Sequence, residues 1–230
     1  MVPPTQSPSR GNDDLKRSRS LGDPAPSFRS IAIVIGCVLF YAIVRYHLLK
    51  GVPWHHFPLY VVNKASAVSA VFFFALALAF PAIRKTGNGE ERRCALAGLV
   101  LVSIHAMISM LILNAGYFPM LFRDGKLNLT GEISLLLGIV ALTIAVILAT
   151  GALPPLRTFS ERAGERLKVC TLALAGAHVY FLGIASWLKP SAWPGNLPPL
   201  TLVSFVVVVC ALMARWHHRG NKEASGKSPE

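Results

Sequence analysis

The sequence is poor in charged residues, and acidic ones are scarcest. Charged residues make up 15% of the 230, with 11 Asp and Glu against 23 Lys and Arg, whereas 53% of the residues are hydrophobic. A soluble domain needs a more polar surface, so the composition indicates a membrane protein. The net charge of +12 does not favour nucleic-acid binding, because the basic residues lie at the termini and between apolar runs, where bilayer proteins place their anchors.

Motifs for several kinds of site are missing. The four cysteines, Cys37, Cys94, Cys170 and Cys210, are far apart and form no CxxC pair, which argues against disulfides, a zinc site or an iron–sulfur cluster. No GxGxxG run follows a strand, and no linker is long enough for a flavin or nicotinamide domain. We therefore expect any hydride chemistry to come from another polypeptide, or electrons to come from membrane quinol.

Six apolar runs dominate the chain. Runs of roughly 17 to 25 residues can cross a bilayer as helices, and they lie approximately at Ser30–Leu49, Ala65–Ile83, Cys94–Phe118, Ile133–Leu153, Val169–Leu188 and Leu197–Trp216. The sequence predicts an all-α integral membrane six-helix bundle over residues 30–216. Residues 1–29, rich in Pro, Ser and charge, and residues 217–230 are predicted to be disordered tails. The first run has no small-x-small cleavage site after it, so we expect a retained helix rather than a signal peptide.

The distribution of Lys and Arg predicts the orientation. If the N-terminus is cytoplasmic, 17 of the 23 basic residues fall in cytoplasmic segments and six at the outer ends and loops. This asymmetry predicts that both termini are cytoplasmic. We expect a multi-pass protein of a plasma membrane, of the bacterial inner-membrane type, in contact with lipid.

Two histidines lie deep in the predicted spans. His105 follows Arg93 by 12 residues and His178 follows Lys168 by 10, which puts them about 18 Å and about 15 Å along two parallel helices. Both are near the middle of a core about 30 Å thick. The other five histidines fall at or beyond span ends.

The pair has two interpretations. A single intramembrane histidine is more often a packing or proton-handling residue than a ligand. Two at one depth, with no Asp, Glu, Lys or Arg expected near that level, favour axial ligation of haem iron from facing helices. Small residues beside them, Ala106 on one helix and Ala173, Ala175, Gly176 and Ala177 on the other, leave space for a macrocycle, although close helix packing also explains them. The alternative is a haem-free transporter or assembly protein with both histidines in proton handling or packing.

Four runs resemble the ferric reductase-like transmembrane domain family. They are NKASAVSAVFFFALALAFPAIRK from Asn63, RRCALAGLVLVSIHAMISM from Arg92, LTGEISLLLGIVALTIAVILAT from Leu129 and LPPLR from Leu153. The resemblance implies a membrane component of an oxidoreductase system that passes electrons through b-type haem. It implies axial histidines on the third and fifth spans, which are His105 and His178 here, and it leaves open whether the chain is itself an enzyme.

Departures from that family limit the prediction to one haem. Two-haem members carry two histidines on each ligand helix, roughly a dozen or more residues apart. Here the positions 13 residues from His105 and His178 are Arg92, Phe118, Glu165 and Ser191. The Trp and His that begin the fifth span in many members are replaced by residues 165–170, ERLKVC.

Basic residues provide further candidates. Arg45, Lys64 and Arg123 lie near outer span ends and are possible partners of haem propionates, with snorkelling as the alternative. The inner segments Arg84–Arg93 and Arg157–Lys168 suit a separate cytoplasmic flavin reductase as docking partner, or equally lipid phosphates.

Overall fold

The computed structural model describes residues 28–83, 89–150 and 161–225, and these are mostly helical. The long helices are α1 (Phe28–Ile43), α2 (Val62–Ile83), α3 (Gly89–Ile112), α4 (Leu129–Thr150), α5 (Glu161–Trp187) and α6 (Leu200–Ser225). A π-helical segment, Val44–Leu49, extends α1, and a 3₁₀ turn at Trp54–His56 and a π-helical segment at Phe57–Val61 lead into α2. Strands β1 (Phe122–Arg123) and β2 (Lys126–Leu127) form a short antiparallel hairpin before α4.

All six predicted spans correspond to helices that are long and apolar enough to cross a membrane. These candidate spans are Arg29–Leu49, Trp54–Ala79, Glu90–Ile112, Leu129–Ala149, Ala163–Trp187 and Pro194–Gly220. The prediction of a mostly helical chain with six such helices is confirmed.

Two helix ends around the loop between α3 and α4 differ from the predicted ones, and polar side chains explain the difference. The third span was predicted to reach Phe118, but α3 ends at Ile112 because the Asn114 side chain accepts hydrogen bonds from the main-chain N–H groups of Gly116 and Tyr117 and closes a turn. Helix α4 begins at Leu129, ahead of the predicted Ile133. Asn128 caps it, since the Asn128 Oδ1 accepts from the Gly131 N–H at 2.9 Å.

Two other helix ends also differ from the predicted span boundaries. Helix α2 begins before the predicted Ala65, so Asn63 and Lys64 are helical. Helix α6 continues past the predicted end of the sixth span at Trp216 and reaches Ser225. Residues 1–27 and 226–230 of the predicted tails lie outside the described residues.

Helix α2 is the centre of the bundle. In its most apolar window 67% of the residues are buried, against 11–28% in the other five candidate spans. Its buried positions are mostly small, among them Ala65, Ser69, Ala70 and Ala75, and small residues let neighbouring helices approach closely. Helix α2 packs on α1, α3 and α6, while α5 packs on α4 and α6. The contacts between the α2–α3 pair and the α4–α5 pair are sparse, which leaves a space between the pairs.

An ion-pair cluster joins three helices at the end of the bundle where α3 and α5 begin. The Lys168 ammonium donates to Glu165 at 2.8 Å and also to Glu91, and the Arg215 guanidinium donates to the other Glu165 oxygen. Glu91 is on α3, Glu165 and Lys168 are on α5, and Arg215 is on α6. Lys168 is therefore engaged within the bundle and is not a free docking residue, whereas Arg92, Arg93 and Arg166 are exposed.

We expect Glu165→Gln to lower the stability of the bundle. The substitution removes the carboxylate shared by Lys168 and Arg215, and partly exposed pairs of this kind contribute about 1 kcal/mol. For a chain of this size the midpoint of thermal unfolding in detergent should fall by about 2–4 °C. Arg166→Gln, which removes an exposed charge from the same helix, is the matched control. Equal midpoints for the two variants would contradict a stabilising role for the cluster.

Candidate functional site

The space between the helix pairs is a cavity of about 240 Å³. Side chains of α2, α3, α4, α5 and α6 line it, and most of them are apolar, including Val71, Leu142, Leu172 and Leu182. A single water requires about 10–15 Å³ on a comparable measure, so the cavity has room for a ligand much larger than one water. Its position inside a bundle of apolar helices is one of the places where proteins bind cofactors.

His105 reaches this cavity from the C-terminal half of α3, seven residues before the helix ends at Ile112. Its Nδ1 lies 2.6 Å from the Asn63 Oδ1 and 3.3 Å from the main-chain oxygen of Asn63 on α2. A main-chain carbonyl can only accept, so Nδ1 carries the proton and donates to these oxygens. Ser109, one turn after His105, accepts a hydrogen bond from the Asn63 Nδ2 at 3.1 Å. The amide nitrogen is thereby held by Ser109, and the amide oxygen faces the imidazole.

His178 reaches the same cavity from α5, and its orientation is fixed in a comparable way. Its Nδ1 donates to the main-chain oxygen of Ser134 on α4 at 2.7 Å, and the Ser134 Oγ lies 3.0 Å from the same nitrogen. The Ser134 hydroxyl also donates to the main-chain oxygen of His178 at 3.3 Å. Each histidine is therefore bonded to the helix that precedes its own in the chain.

These contacts determine which ring nitrogen is available in each imidazole. Every hydrogen bond that the two rings make with another described residue uses Nδ1. In a neutral imidazole with the proton on Nδ1, Nε2 keeps its lone pair. Metal-binding histidines commonly donate their second N–H to a carbonyl or carboxylate in this manner. The cavity therefore has two imidazoles in the tautomer that ligates a metal through Nε2.

Gly138 on α4 provides the room for the second imidazole. A Cβ at position 138 would lie 3.0 Å from the Nδ1 and 3.2 Å from the Cε1 of His178. Of the small residues expected beside the histidines, Ala106 and Ala175 line the cavity. Gly176 instead packs against α6, where its Cβ would approach the Val208 Cγ1 to 2.8 Å, and Ala173 is exposed. Close helix packing explains Gly176.

The three predicted propionate partners are in different places. Lys64 lines the cavity, and its Nζ lies 4.5 Å from the ring centroid of Tyr60 and 5.3 Å from that of Tyr46. The expectation that no charged residue lies near the level of the histidines is therefore wrong, because Lys64 follows Asn63 directly and lines the same cavity. Arg45 is buried and donates to the main-chain oxygen of Leu197. Arg123 lies in the β-hairpin with its side chain 86% exposed, 4.0 Å from Asp124.

The sequence interpretation missed the residues that orient the two imidazoles. Asn63 lay just outside the predicted second span, and Ser134 and Gly138 lay within a run that looked uniformly apolar. One signal was present in the sequence, since Ser109 follows His105 by four residues and such residues share a helix face. The helix that faces each histidine could not be inferred from that spacing.

Two imidazoles do not complete the coordination of a transition metal. Within residues 28–83, 89–150 and 161–225, no group of three or more His, Cys, Asp or Glu side chains could hold a metal ion. A metal held by His105 and His178 would need its remaining ligands from a prosthetic group, as haem iron takes them from its macrocycle.

The fold and site thus define a chain with six potentially membrane-spanning helices and a two-histidine cavity between them. No protein-family model matches the chain, and no curated protein matches it either. The resemblance to ferric reductase-like transmembrane domains rests on the sequence runs alone and stays a prediction.

Proposed function

We propose that the protein is an integral membrane electron carrier that holds one b-type haem between His105 and His178. It would serve as the membrane component of a ferric reductase-like oxidoreductase system. One observation carries the proposal: the imidazoles of two facing helix pairs line one apolar cavity, and both are hydrogen-bonded through Nδ1. Bis-histidine ligation requires this placement and this tautomer.

The residues around the cavity fit such a group. His105 and His178 would hold the iron of the group through Nε2, and the apolar side chains would exclude water and lower the local dielectric. Lys64, at the end of the cavity lined by Tyr46, is the cation placed to meet a carboxylate of the group. When bound, haem supplies a carrier for one electron at a time. The protein sets the potential of that carrier through the ligands, their hydrogen bonds and the degree of burial.

The wider arrangement is part of the proposal. The excess of Lys and Arg on one side supports cytoplasmic termini in a bacterial inner membrane. Large exposed apolar side chains along α3, among them Val100, Met107 and Leu111, suit contact with lipid tails. The electron donor would be a separate cytoplasmic flavin reductase or membrane quinol, since no GxGxxG run follows a strand in the sequence.

Reduced-minus-oxidised visible spectra of the purified full-length protein test the proposal. Protein expressed with an ample haem supply should show a Soret shift on reduction and an alpha band, in a stoichiometry of one haem per chain. Haem-supplied preparations without these bands would contradict the proposal. That result would favour the haem-free alternative, in which the two histidines handle protons or pack.

A further inference from the structure

The two imidazoles are held by different kinds of oxygen. The acceptor for His178 is the main-chain carbonyl of Ser134, which no substitution of that side chain removes. The shorter contact of His105 is with the side-chain amide oxygen of Asn63, at 2.6 Å, while the main-chain oxygen of Asn63 is farther away at 3.3 Å. The nearest acceptor for His105 is therefore a side-chain atom that a substitution can remove, whereas the nearest acceptor for His178 is a main-chain atom.

Asn63 is unusually placed for an asparagine. It is 2% exposed in a helix apolar enough to cross a membrane, where an unpaired amide would be costly. Both polar atoms of its amide are engaged: Nδ2 donates to the Ser109 Oγ at 3.1 Å, and Oδ1 accepts from the His105 Nδ1 and, at 3.2 Å, from the Ser109 hydroxyl. Helix packing alone needs none of these groups, since a leucine of similar volume would fill the position without polar atoms.

We propose that Asn63 is a positioning residue that fixes His105 with its proton on Nδ1 and sets the electron donation of that imidazole. Ser109 supports it by holding the amide nitrogen, so that the amide oxygen points to the ring. The hydrogen bond from Nδ1–H increases the basicity of Nε2, and an acceptor with a full negative charge would increase it further. The effect on an iron ligand rests on the proposed haem function, whereas the effect on the tautomer does not.

The tautomer is tested on the full-length protein in detergent without haem, with ¹⁵N-labelled histidine. In the wild type, the His105 signal, assigned by its loss in His105→Gln, should show a protonated Nδ1 and an unprotonated Nε2. Asn63→Leu leaves His105 only the more distant main-chain oxygen of residue 63, at 3.3 Å, so it should shift the His105 signal toward a mixture of the two tautomers and leave the His178 signal unchanged. Ser109→Ala, a milder change, should give a smaller shift in the same direction. An unchanged His105 signal in both variants would overturn the proposal.

The electron donation is tested by redox titration of haem-loaded protein. Asn63→Asp should stabilise the oxidised haem and shift the one-electron equilibrium about tenfold. This corresponds to a reduction potential lower by about 59 mV. Asn63→Leu should raise the potential and weaken haem retention by about 10–100-fold. Asn196→Asp, the same exchange at an exposed loop position, is the matched control and should leave the potential unchanged.

The two proposals fail in different ways. If the wild type binds haem but the Asn63→Asp and Asn196→Asp variants have equal reduction potentials, the role of Asn63 is overturned and the haem proposal still stands. Wild type that takes up no haem would contradict the proposed function. The ¹⁵N spectra of the haem-free variants would then still decide whether Asn63 fixes the tautomer.

Discussion

Alanine at either His105 or His178 is expected to remove the six-coordinate haem spectrum, and alanine at both should reduce bound haem to background. Each imidazole is the only histidine of its helix pair among the described residues lining the cavity, so no second imidazole can take over the lost position, and Met110 on α3 offers only a weaker thioether. Single variants should retain less haem and show a Soret maximum typical of iron with one protein ligand. Haem content by the pyridine haemochrome assay and reduced-minus-oxidised spectra are the measurements.

A histidine outside the cavity provides the control for this experiment. His55 is exposed and does not line the cavity, so His55→Ala should retain the wild-type spectrum. Size-exclusion profiles of all variants show whether the bundle still folds. Full haem content in the His105→Ala, His178→Ala double variant would contradict the assignment of these two histidines as iron ligands, even if the wild type is a haem protein.

Leucine at Gly138 should have the second largest effect. A Cβ there would lie 3.0 Å from the His178 Nδ1, so the His178 ring must shift by a few tenths of an ångström, and the rest of a leucine side chain would enter the cavity. We expect Gly138→Leu to lose most of its haem and Gly138→Ala to lose part of it. The order of haem content should be wild type, alanine variant, leucine variant.

Gly36 on α1 is the matched position for these substitutions. Apart from its chain neighbours and the nearby backbone of its own helix, no heavy atom of the described residues would lie within 4 Å of a Cβ at Gly36, and this glycine is exposed. Gly36→Ala and Gly36→Leu should therefore keep the wild-type haem content, and replacing a helical glycine with alanine adds up to about 1 kcal/mol of helix stability. Equal haem content in the leucine variants at 36 and 138 would show that the space beside His178 is not required.

The sequence predicts the number and type of elements here because apolar length is a direct physical requirement for crossing a bilayer. Counting residues along two parallel helices also placed His105 and His178 at one level, since the helical rise per residue is constant. The ends of the helices were less predictable from the sequence. Asn114 and Asn128 stop and start helices through side-chain hydrogen bonds, and these depend on local geometry that hydropathy does not contain.

The immediate surroundings of the histidines could not be read from the sequence. Whether Asn63 or a neighbour faces His105 depends on the rotation of α2 about its own axis, and packing against several other helices decides that rotation. Arg45, Lys64 and Arg123 also looked equivalent in the sequence, because their spacing does not show which of them faces the cavity. The structure separates them into a buried residue bonded to a carbonyl, a residue lining the cavity and an exposed one.

The bonding of each histidine to the preceding helix has a consequence for assembly. The α2–α3 pair contains one imidazole together with the oxygen that orients it, and the α4–α5 pair contains the other, so each oriented half can form from a contiguous stretch of chain. The direct contacts between these halves are sparse, and α6 bridges α2 and α5. A molecule that contacts both histidines would therefore link the halves by mass action. The concentration of that molecule, as much as the packing of the helices, would then determine the stability of the association between the two halves.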